Sequence, residues 1–193
     1  MIIRNNGEKD VVPMRRPRPV SERMLENVAL YYLQRFAAST ESLRRVLLRR
    51  VERSARVHDT DRSEGRALVE IVISRLAASG LVDDGAFAVA RAARLHRQGK
   101  PACAIAAHLR ERGIAPETIE ATLSGLARDE GGDWRAAVNF ARRRRLGPFR
   151  TGDRAAHRDK DLAAFARAGF SYAAARRVLA AQGPEDLEAG EEG

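Results

Sequence analysis

The feature that most constrains how this chain can fold is an internal repeat. Residues 108–123, HLRERGIAPETIEATL, and residues 164–179, AFARAGFSYAAARRVL, align without a gap at a spacing of 56 residues. In both segments apolar residues recur at intervals of three and four, and a Gly followed by a large apolar residue interrupts the pattern. Such intervals are typical of short amphipathic helices, and such a Gly is typical of a left-handed helix C-cap. The repeat therefore predicts a serial array of small helical units.

A looser copy of the same unit lies upstream, so we expect an all-α fold built as a tandem array of three three-helix repeats. Residues 43–51 supply the middle helix of this copy, and residues 69–76 supply its third helix. Because each unit buries only part of its apolar surface, it must pack against its neighbours, which predicts an elongated and curved array. The predicted segments are a disordered basic N-terminal arm over 1–22, module 1 over 23–80 with an inserted loop at 54–65, module 2 over 81–130, module 3 over 131–183, and a disordered acidic tail over 184–193.

Helix ends are marked by residues with known backbone preferences. Gly80, Gly113 and Gly169 each end an apolar-periodic segment and precede a large apolar residue. Glycine adopts the left-handed conformation without a steric penalty, and the apolar residue after it can fold back on the last turn. Ser39 or Thr40 precedes one of the next segments and Ser171 precedes another, where a hydroxyl can accept a hydrogen bond from a free backbone N–H group. These signals divide the chain into about nine short helices.

The composition favours a cytoplasmic protein that meets an anionic partner. No segment approaches the roughly 20 consecutive apolar residues that cross a bilayer, and the N-terminus lacks the apolar centre of a signal peptide. The formal net charge is +9, and it rises to +14 for residues 1–183, because the last ten residues contain five acidic and no basic residues. A field of this sign attracts polyanions or acidic protein surfaces. Aromatic residues are only 5% of the chain, which argues against a protein that stacks successive bases on its rings.

No residue pattern predicts catalysis or a cofactor. The single cysteine, Cys103, excludes an intrachain disulfide and is expected to be a small packing residue. Asp83 and Asp84 precede a predicted helix, where carboxylates more commonly cap free N–H groups than bind metal. We therefore expect a protein that is not an enzyme and that has no metal and no cofactor. The histidines, which lack any metal-binding spacing, are His58, His96, His108 and His157.

Arginine clusters are the strongest candidates for a binding surface. Residues 135–160 contain nine Arg or Lys residues and only two acidic residues. Basic residues at the end of a helix also interact favourably with its negative dipole end, but this effect is worth only about 0.3 to 1 kcal/mol and fades within one turn. An ordinary solvated helix face remains the alternative interpretation of each cluster. The candidate residues are Arg44, Arg45, Arg49, Arg50, Arg142, Arg143, Arg144, Arg145, Arg150, Arg176 and Arg177.

The ordered set of segments resembles the RecX family of regulatory proteins, which consist of tandem three-helix repeats. The resemblance spans roughly residues 24–183 and is carried by LVDDGAFAVARAARLHRQGK, IAAHLRERGIAPETIEATL, RRRRLGPFR and DLAAFARAGFSYAAARRVL, in this order. It implies a non-enzymatic modulator of the RecA recombinase, which binds RecA and lies in the helical groove of the RecA–DNA filament. It also implies that the most common effect is inhibition of strand exchange and ATP hydrolysis.

The partners expected from the resemblance and the charge are the RecA filament and, weakly, single- or double-stranded DNA, with the protein acting as a monomer away from membranes. The alternative is a sequence-specific DNA-binding transcription regulator, because pairs of short helices are joined by turns that contain Gly. Residues 117–126 contain Glu117 and Glu120 and no Lys or Arg, so a phosphate-lined groove would repel them. Only YAAARRVL, with Arg176 and Arg177, could then serve as the recognition helix. A general helical scaffold or an RNA-binding module is a third possibility.

Overall fold

A computed structural model of the 193-residue chain describes residues 19–58, 61–129 and 132–188. In these residues the regular secondary structure is helical throughout, so the all-α prediction is confirmed. Two short 3-10 turns, at Gly147–Phe149 and Ala155–His157, connect α7 to α8. The α-helices are α1 Glu22–Leu33, α2 Thr40–Ala55, α3 Arg62–Ala78, α4 Asp84–Arg97, α5 Ala102–Glu111, α6 Pro116–Asp129, α7 Gly132–Arg144, α8 Arg158–Ala168, α9 Tyr172–Ala180 and α10 Glu185–Glu188.

Each consecutive set of three helices encloses a hydrophobic core of its own, as the three-helix repeat predicts. In module 1, Leu25 on α1 and Leu47 on α2 are fully buried. In module 2, Ile105 and Leu109 on α5 fill the corresponding space. In module 3, Phe165 is the largest fully buried side chain. Units of about 50 residues bury too little apolar surface to be very stable alone, so contacts between modules add to the stability of each.

The left-handed helix ends predicted from the sequence are confirmed. Gly80, Gly113 and Gly169 have φ angles of +71°, +75° and +94°. At each one, the backbone N–H of the following apolar residue donates to the carbonyl oxygen five residues earlier, at 3.0, 3.1 and 3.1 Å. These bonds satisfy carbonyl groups that the last turn of a helix leaves free. Serine caps are confirmed as well: the Ser39 and Ser171 hydroxyls accept from the N–H of the residue three positions later, both at 3.2 Å.

The predicted boundaries differ from the structure at three places. The inserted loop expected at 54–65 is shorter, because α2 continues to Ala55 and α3 begins at Arg62, after Asp61 accepts a hydrogen bond from the Ser63 N–H. The disorder predicted from residue 184 is wrong for residues 185–188, which form α10 and bury Leu187 in the module 3 core. The arm predicted over 1–22 is helical at Glu22, and its residues 1–18 lie outside the described residues, as do 189–193 of the tail.

Modules 1 and 2 are joined by hydrogen bonds at the start of α2. The fully buried Ser39 hydroxyl donates to the Arg112 carbonyl oxygen at 2.6 Å. The Thr40 N–H donates to the Asp84 carboxylate at 2.7 Å. Asp83 caps its own helix by accepting from the Ala86 N–H at 2.9 Å. The paired aspartates therefore cap two helices in two modules, which extends the capping role expected from the sequence.

Modules 2 and 3 also approach each other closely, at the turn between α4 and α5. Gly99 in this turn has a φ of +76°, and a Cβ atom added to it would lie 2.5 Å from the Phe140 backbone nitrogen. The buried His96 Nε2 lies 2.6 Å from the Gly132 carbonyl oxygen. Cys103 is exposed rather than buried, and its thiol donates to the Gly169 carbonyl oxygen at 3.2 Å. The turn thus packs directly on the backbone of module 3.

Candidate functional site

Two of the candidate arginines on α2 are held by carboxylates of module 1. Arg44 bonds Glu70 through Nε at 2.8 Å and Glu41 through Nη1 at 2.7 Å. Arg45 Nε bonds the other Glu41 oxygen at 2.8 Å. The hydrogen bond from Arg44 is the main cause that holds the pKa of Glu41 below its ordinary value, and the same carboxylates raise the pKa of Arg44. These two guanidinium groups stabilise the packing of α2 and have little free charge to offer a partner.

The next turn of α2 differs, because its arginines have no carboxylate partner among the described residues. Arg49 is exposed, and Arg50 is half-buried. The Arg50 Nε atom is buried and has no hydrogen-bond partner within the described chain. Arg49 is therefore the candidate on this helix that is best placed to meet an external anion.

The four consecutive arginines at the end of α7 are all exposed. Arg142 lies over the Phe149 ring, with its guanidinium carbon 5.5 Å from the ring centroid. Arg143 and Arg144 line a cleft between modules 2 and 3. Arg145 follows the helix with a φ of +55°, and the next N–H, from Leu146, donates to the Ala141 carbonyl oxygen at 3.0 Å. The sequence expectation of an outward-facing basic helix end agrees with this placement.

Arg150 is set apart from that cluster by a buried partner. Its Nε donates to Asp161 Oδ2 at 3.3 Å, and its Nη2 bonds Oδ1 of the same carboxylate. Asp161 is only 2% exposed and also accepts from the Gly147 N–H at 2.9 Å. A buried carboxylate needs a cation of this kind, because an unpaired buried charge is strongly destabilising. Arg150 was expected to face an anion with the other arginines, and the structure gives it an internal ion pair instead.

The two arginines of α9 are both exposed. Arg177 lies over the Trp134 ring, with its guanidinium carbon 3.8 Å from the ring centroid. A cation–π contact orients a guanidinium group but leaves its positive charge uncompensated. Arg176 and Arg177 therefore add to the positive surface of module 3, and neither makes an ion pair within the part of the chain that the structure describes.

A cleft of about 870 Å³ between modules 2 and 3 brings together basic residues that the sequence interpretation did not connect. Lys100 comes from the turn after α4, Arg143 and Arg144 from α7, and Arg167 from α8. Among the described residues, none that lines the cleft is acidic. The sequence does distinguish Arg167: in the repeat it aligns with Glu111, so a basic residue in module 3 stands where module 2 has an acidic one. No comparable signal marks Lys100 in the sequence.

If helix α6 entered a DNA groove, as one version of the DNA-reading alternative requires, its exposed side would present negative charge. Glu117 and Glu120 on α6 are both exposed, and the basic residue of this helix, Arg128, lies in its last turn. Acidic side chains are repelled by the phosphates that line a DNA groove. This placement disfavours the alternative of a sequence-specific regulator that reads DNA through α6.

The described residues form neither a metal-binding cluster nor a membrane-spanning helix. These residues contain no group of three or more His, Cys, Asp or Glu side chains that could hold a metal ion. None of the described helices combines the length and the apolar character needed to cross a bilayer. His108 instead has a neighbour within the protein, because its Nε2 accepts a hydrogen bond from Arg91 Nε at 2.9 Å.

Comparisons with known proteins agree with this architecture. The family model described as RecX, second three-helix domain, matches residues 83–123, which cover most of α4 to α6. Regulatory protein RecX from Myxococcus xanthus (strain DK1622) is 44% identical over 167 residues, which are 86% of this chain and 89% of the relative. Regulatory protein RecX from Agrobacterium fabrum (strain C58 / ATCC 33970) is 33% identical over 80% of each chain. Regulatory protein RecX from Thermobifida fusca (strain YX) is 34% identical over 65% of this chain and 70% of the relative.

Proposed function

This chain belongs to the RecX family of regulatory proteins, and from that premise we propose that it binds RecA and RecA–DNA filaments and inhibits their ATPase and strand-exchange activities. The observation that carries the proposal is 44% identity to a regulatory protein RecX across 86% of the chain. A similarity of this extent includes all three helical modules rather than one shared repeat. The RecA partner itself comes from the family resemblance and is what the experiments below test.

The arginines that lack carboxylate partners support a filament as the partner. Arg49, Arg143, Arg144, Arg145 and Arg176 are exposed and make no ion pair with any described residue. Guanidinium groups bind phosphate and carboxylate oxygens in a forked geometry, and both groups are available on a protein–DNA filament. We propose these residues as the contact surface, with Arg177 held nearby on Trp134. Arg44, Arg45 and Arg150 act in internal ion pairs.

Contact with DNA alone is expected to be weak and steeply dependent on salt. Phosphate neutralisation releases counterions, so affinity from this source falls as the salt concentration rises. The low aromatic content offers few rings for base stacking, which would otherwise add about 1–3 kcal/mol per base. We propose that specificity for the filament comes from protein contacts to RecA and that the arginines add affinity without reading sequence.

A charge-reversal experiment tests the proposed surface. The variant Arg143→Glu/Arg144→Glu should lower the affinity for a RecA filament on single-stranded DNA at least tenfold at matched salt, as measured by fluorescence anisotropy. A matched control, Arg23→Glu/Arg66→Glu, makes the same change in net charge at exposed positions of module 1. Circular dichroism should show equal helicity in both variants. Equal affinity of the two variants would remove the α7 arginines from the contact surface, and a wild-type protein that never binds the filament would refute the function.

A further inference from the structure

We propose that the cleft between modules 2 and 3 binds consecutive phosphate groups of a nucleic-acid strand. The inference deepens the proposed function. It rests on that function only for where the protein would meet such a strand, which is the RecA–DNA filament. It assigns the phosphate contacts to one site and adds Lys100 and Arg167, which no sequence pattern connected to the α7 arginines.

The geometry of the cleft is that of a shared site rather than of one helix surface. Its cationic residues come from three separate elements, the turn after α4, the end of α7, and α8. Lys100 belongs to module 2, whereas Arg143, Arg144 and Arg167 belong to module 3. The turn is held against α7 by the close approach of Gly99 to the Phe140 backbone. The cleft therefore exists only because the two modules are packed together.

The electrostatics of the cleft indicate an anionic ligand. Lys100, Arg143, Arg144 and Arg167 make no ion pair with any described residue, and no acidic side chain lines the cleft. By contrast, Arg44 and Arg150, which also pack between elements, are paired with Glu70 and Asp161. Four unpaired positive charges around one cavity repel each other, and an external anion removes that repulsion.

The size and lining of the cleft favour a run of phosphates over a single small anion. A volume of about 870 Å³ is far larger than one phosphate group, and its cations approach from both modules. Three of these cations are guanidinium groups, whose forked donors match phosphate oxygens. The aromatic ring in the lining, Phe140, packs against Phe165 and Phe170 with centroid distances of 5.1 and 5.3 Å. Because this ring is already engaged, we infer that the strand is held by its backbone and not by stacking of its bases.

The test measures direct binding of labelled 20-nucleotide oligo(dT), and of an abasic phosphodiester chain of the same length, by fluorescence anisotropy at low salt without RecA. The variant Lys100→Glu/Arg167→Glu should lower both affinities at least tenfold. The control Arg23→Glu/Arg66→Glu has the same net charge and should lower them less than threefold. Lys100→Gln/Arg167→Gln should reduce the dependence of log affinity on log salt by about 0.7 for each lost contact. Thermal unfolding of every variant should match the wild type, and the glutamine variant replaces the glutamate variant if the latter is unstable.

Because the binding assay contains no RecA, its outcome tests the cleft site independently of the proposed effect on RecA. Equal losses in the cleft variant and the control would overturn the inference, since only the overall field would then attract the strand. It would also be overturned if poly-glutamate competed as well as the abasic chain, because the cleft would then not prefer phosphate groups to carboxylates. If tripolyphosphate competes more weakly than the abasic chain, the result supports a ligand with a longer run of phosphates. If the two compete equally per molecule, the ligand would be a free polyphosphate, which contradicts a nucleic-acid strand. Failure of wild-type protein to bind either chain would refute the cleft site while leaving an effect on RecA intact.

Discussion

At the scale of single residues, Arg145 shows a conflict between local backbone preference and charge. It is the non-glycine residue with a positive φ, +55°, within the described chain. It occupies the position after α7 that glycine occupies after α3, α5 and α8. A residue with a side chain in this conformation costs about 1 kcal/mol or more relative to glycine. The presence of an exposed arginine at such a position agrees with a use for its charge in binding.

We expect Arg145→Gly to raise the free energy of unfolding by about 1 kcal/mol, because glycine adopts this conformation without strain. Arg143→Gly, two residues earlier and inside α7, should instead lower it by up to about 1 kcal/mol. Urea denaturation followed by circular dichroism measures both values. A loss of stability in Arg145→Gly would mean that the arginine side chain contributes more to folding than its backbone conformation costs.

His108 gives the protein a dependence of stability on pH. Burial is the main cause that lowers the pKa of His108 below 6.5, and the charges of Arg91 and Arg112 lower it further. The bond from Arg91 to Nε2 also requires a neutral ring, because that nitrogen must accept. The unfolded chain therefore binds a proton more readily than the folded chain does. The contribution of His108 is fully present above pH 6.5 and is lost as the pH falls below that value toward the folded pKa.

We expect the free energy of unfolding to decrease between about pH 7 and pH 5 in the wild type and to decrease less in His108→Gln, whose side-chain oxygen can still accept from Arg91. Urea titrations at half-unit pH intervals measure the two slopes. Parallel slopes for the two proteins would show that His108 does not cause the pH dependence.

At the scale of helices and turns, the contact of the α4–α5 turn with α7 holds modules 2 and 3 together. Gly99 and Gly80 have similar φ angles, +76° and +71°, but they differ in their surroundings. A Cβ atom at Gly99 would lie 2.5 Å from the Phe140 nitrogen, whereas one at Gly80 would meet nothing within 4 Å. A comparison of the same substitution at Gly80 and at Gly99 therefore separates the effect of backbone strain from the effect of packing between modules.

Gly80→Ala should lower the free energy of unfolding by about 1 kcal/mol, from strain alone. Gly99→Ala should lower it by a further 1–3 kcal/mol or so, because the methyl group forces the turn away from α7. It should also weaken oligonucleotide binding in the cleft, whereas Gly80→Ala should not. Equal losses of stability in the two variants would show that the turn can shift without disturbing module 3.

Elements with strong local signals could be predicted from the sequence, and those that depend on one distant contact could not. The glycine and serine caps predicted the ends of α3, α5 and α8 and the starts of α2 and α9, because capping depends on residues within one turn. The helix at 185–188 was missed, since PEDLEAGEEG has the composition of a disordered acidic segment. What orders it is the burial of one side chain, Leu187, in the core of module 3.

At the scale of the whole molecule, the sequence predicted how much positive charge there is but not which charges remain free. Arg44 meets Glu70 from another helix, and Arg150 meets Asp161 across the 3-10 turn at Ala155–His157. Such pairs depend on tertiary packing, so a count of local charges cannot separate paired from unpaired arginines. For the same reason, only the packing of modules 2 and 3 reveals that Lys100 and Arg167 share a cleft with the α7 arginines.

The most direct test of the central claim is the rate of ATP hydrolysis by RecA on single-stranded DNA, measured with increasing amounts of this protein. We expect the wild-type protein to lower the rate in a saturable way, Arg23→Glu/Arg66→Glu to do so at similar concentrations, and Arg143→Glu/Arg144→Glu to require at least tenfold more protein. A rate of RecA ATP hydrolysis that stays unchanged at saturating wild-type protein would contradict the account.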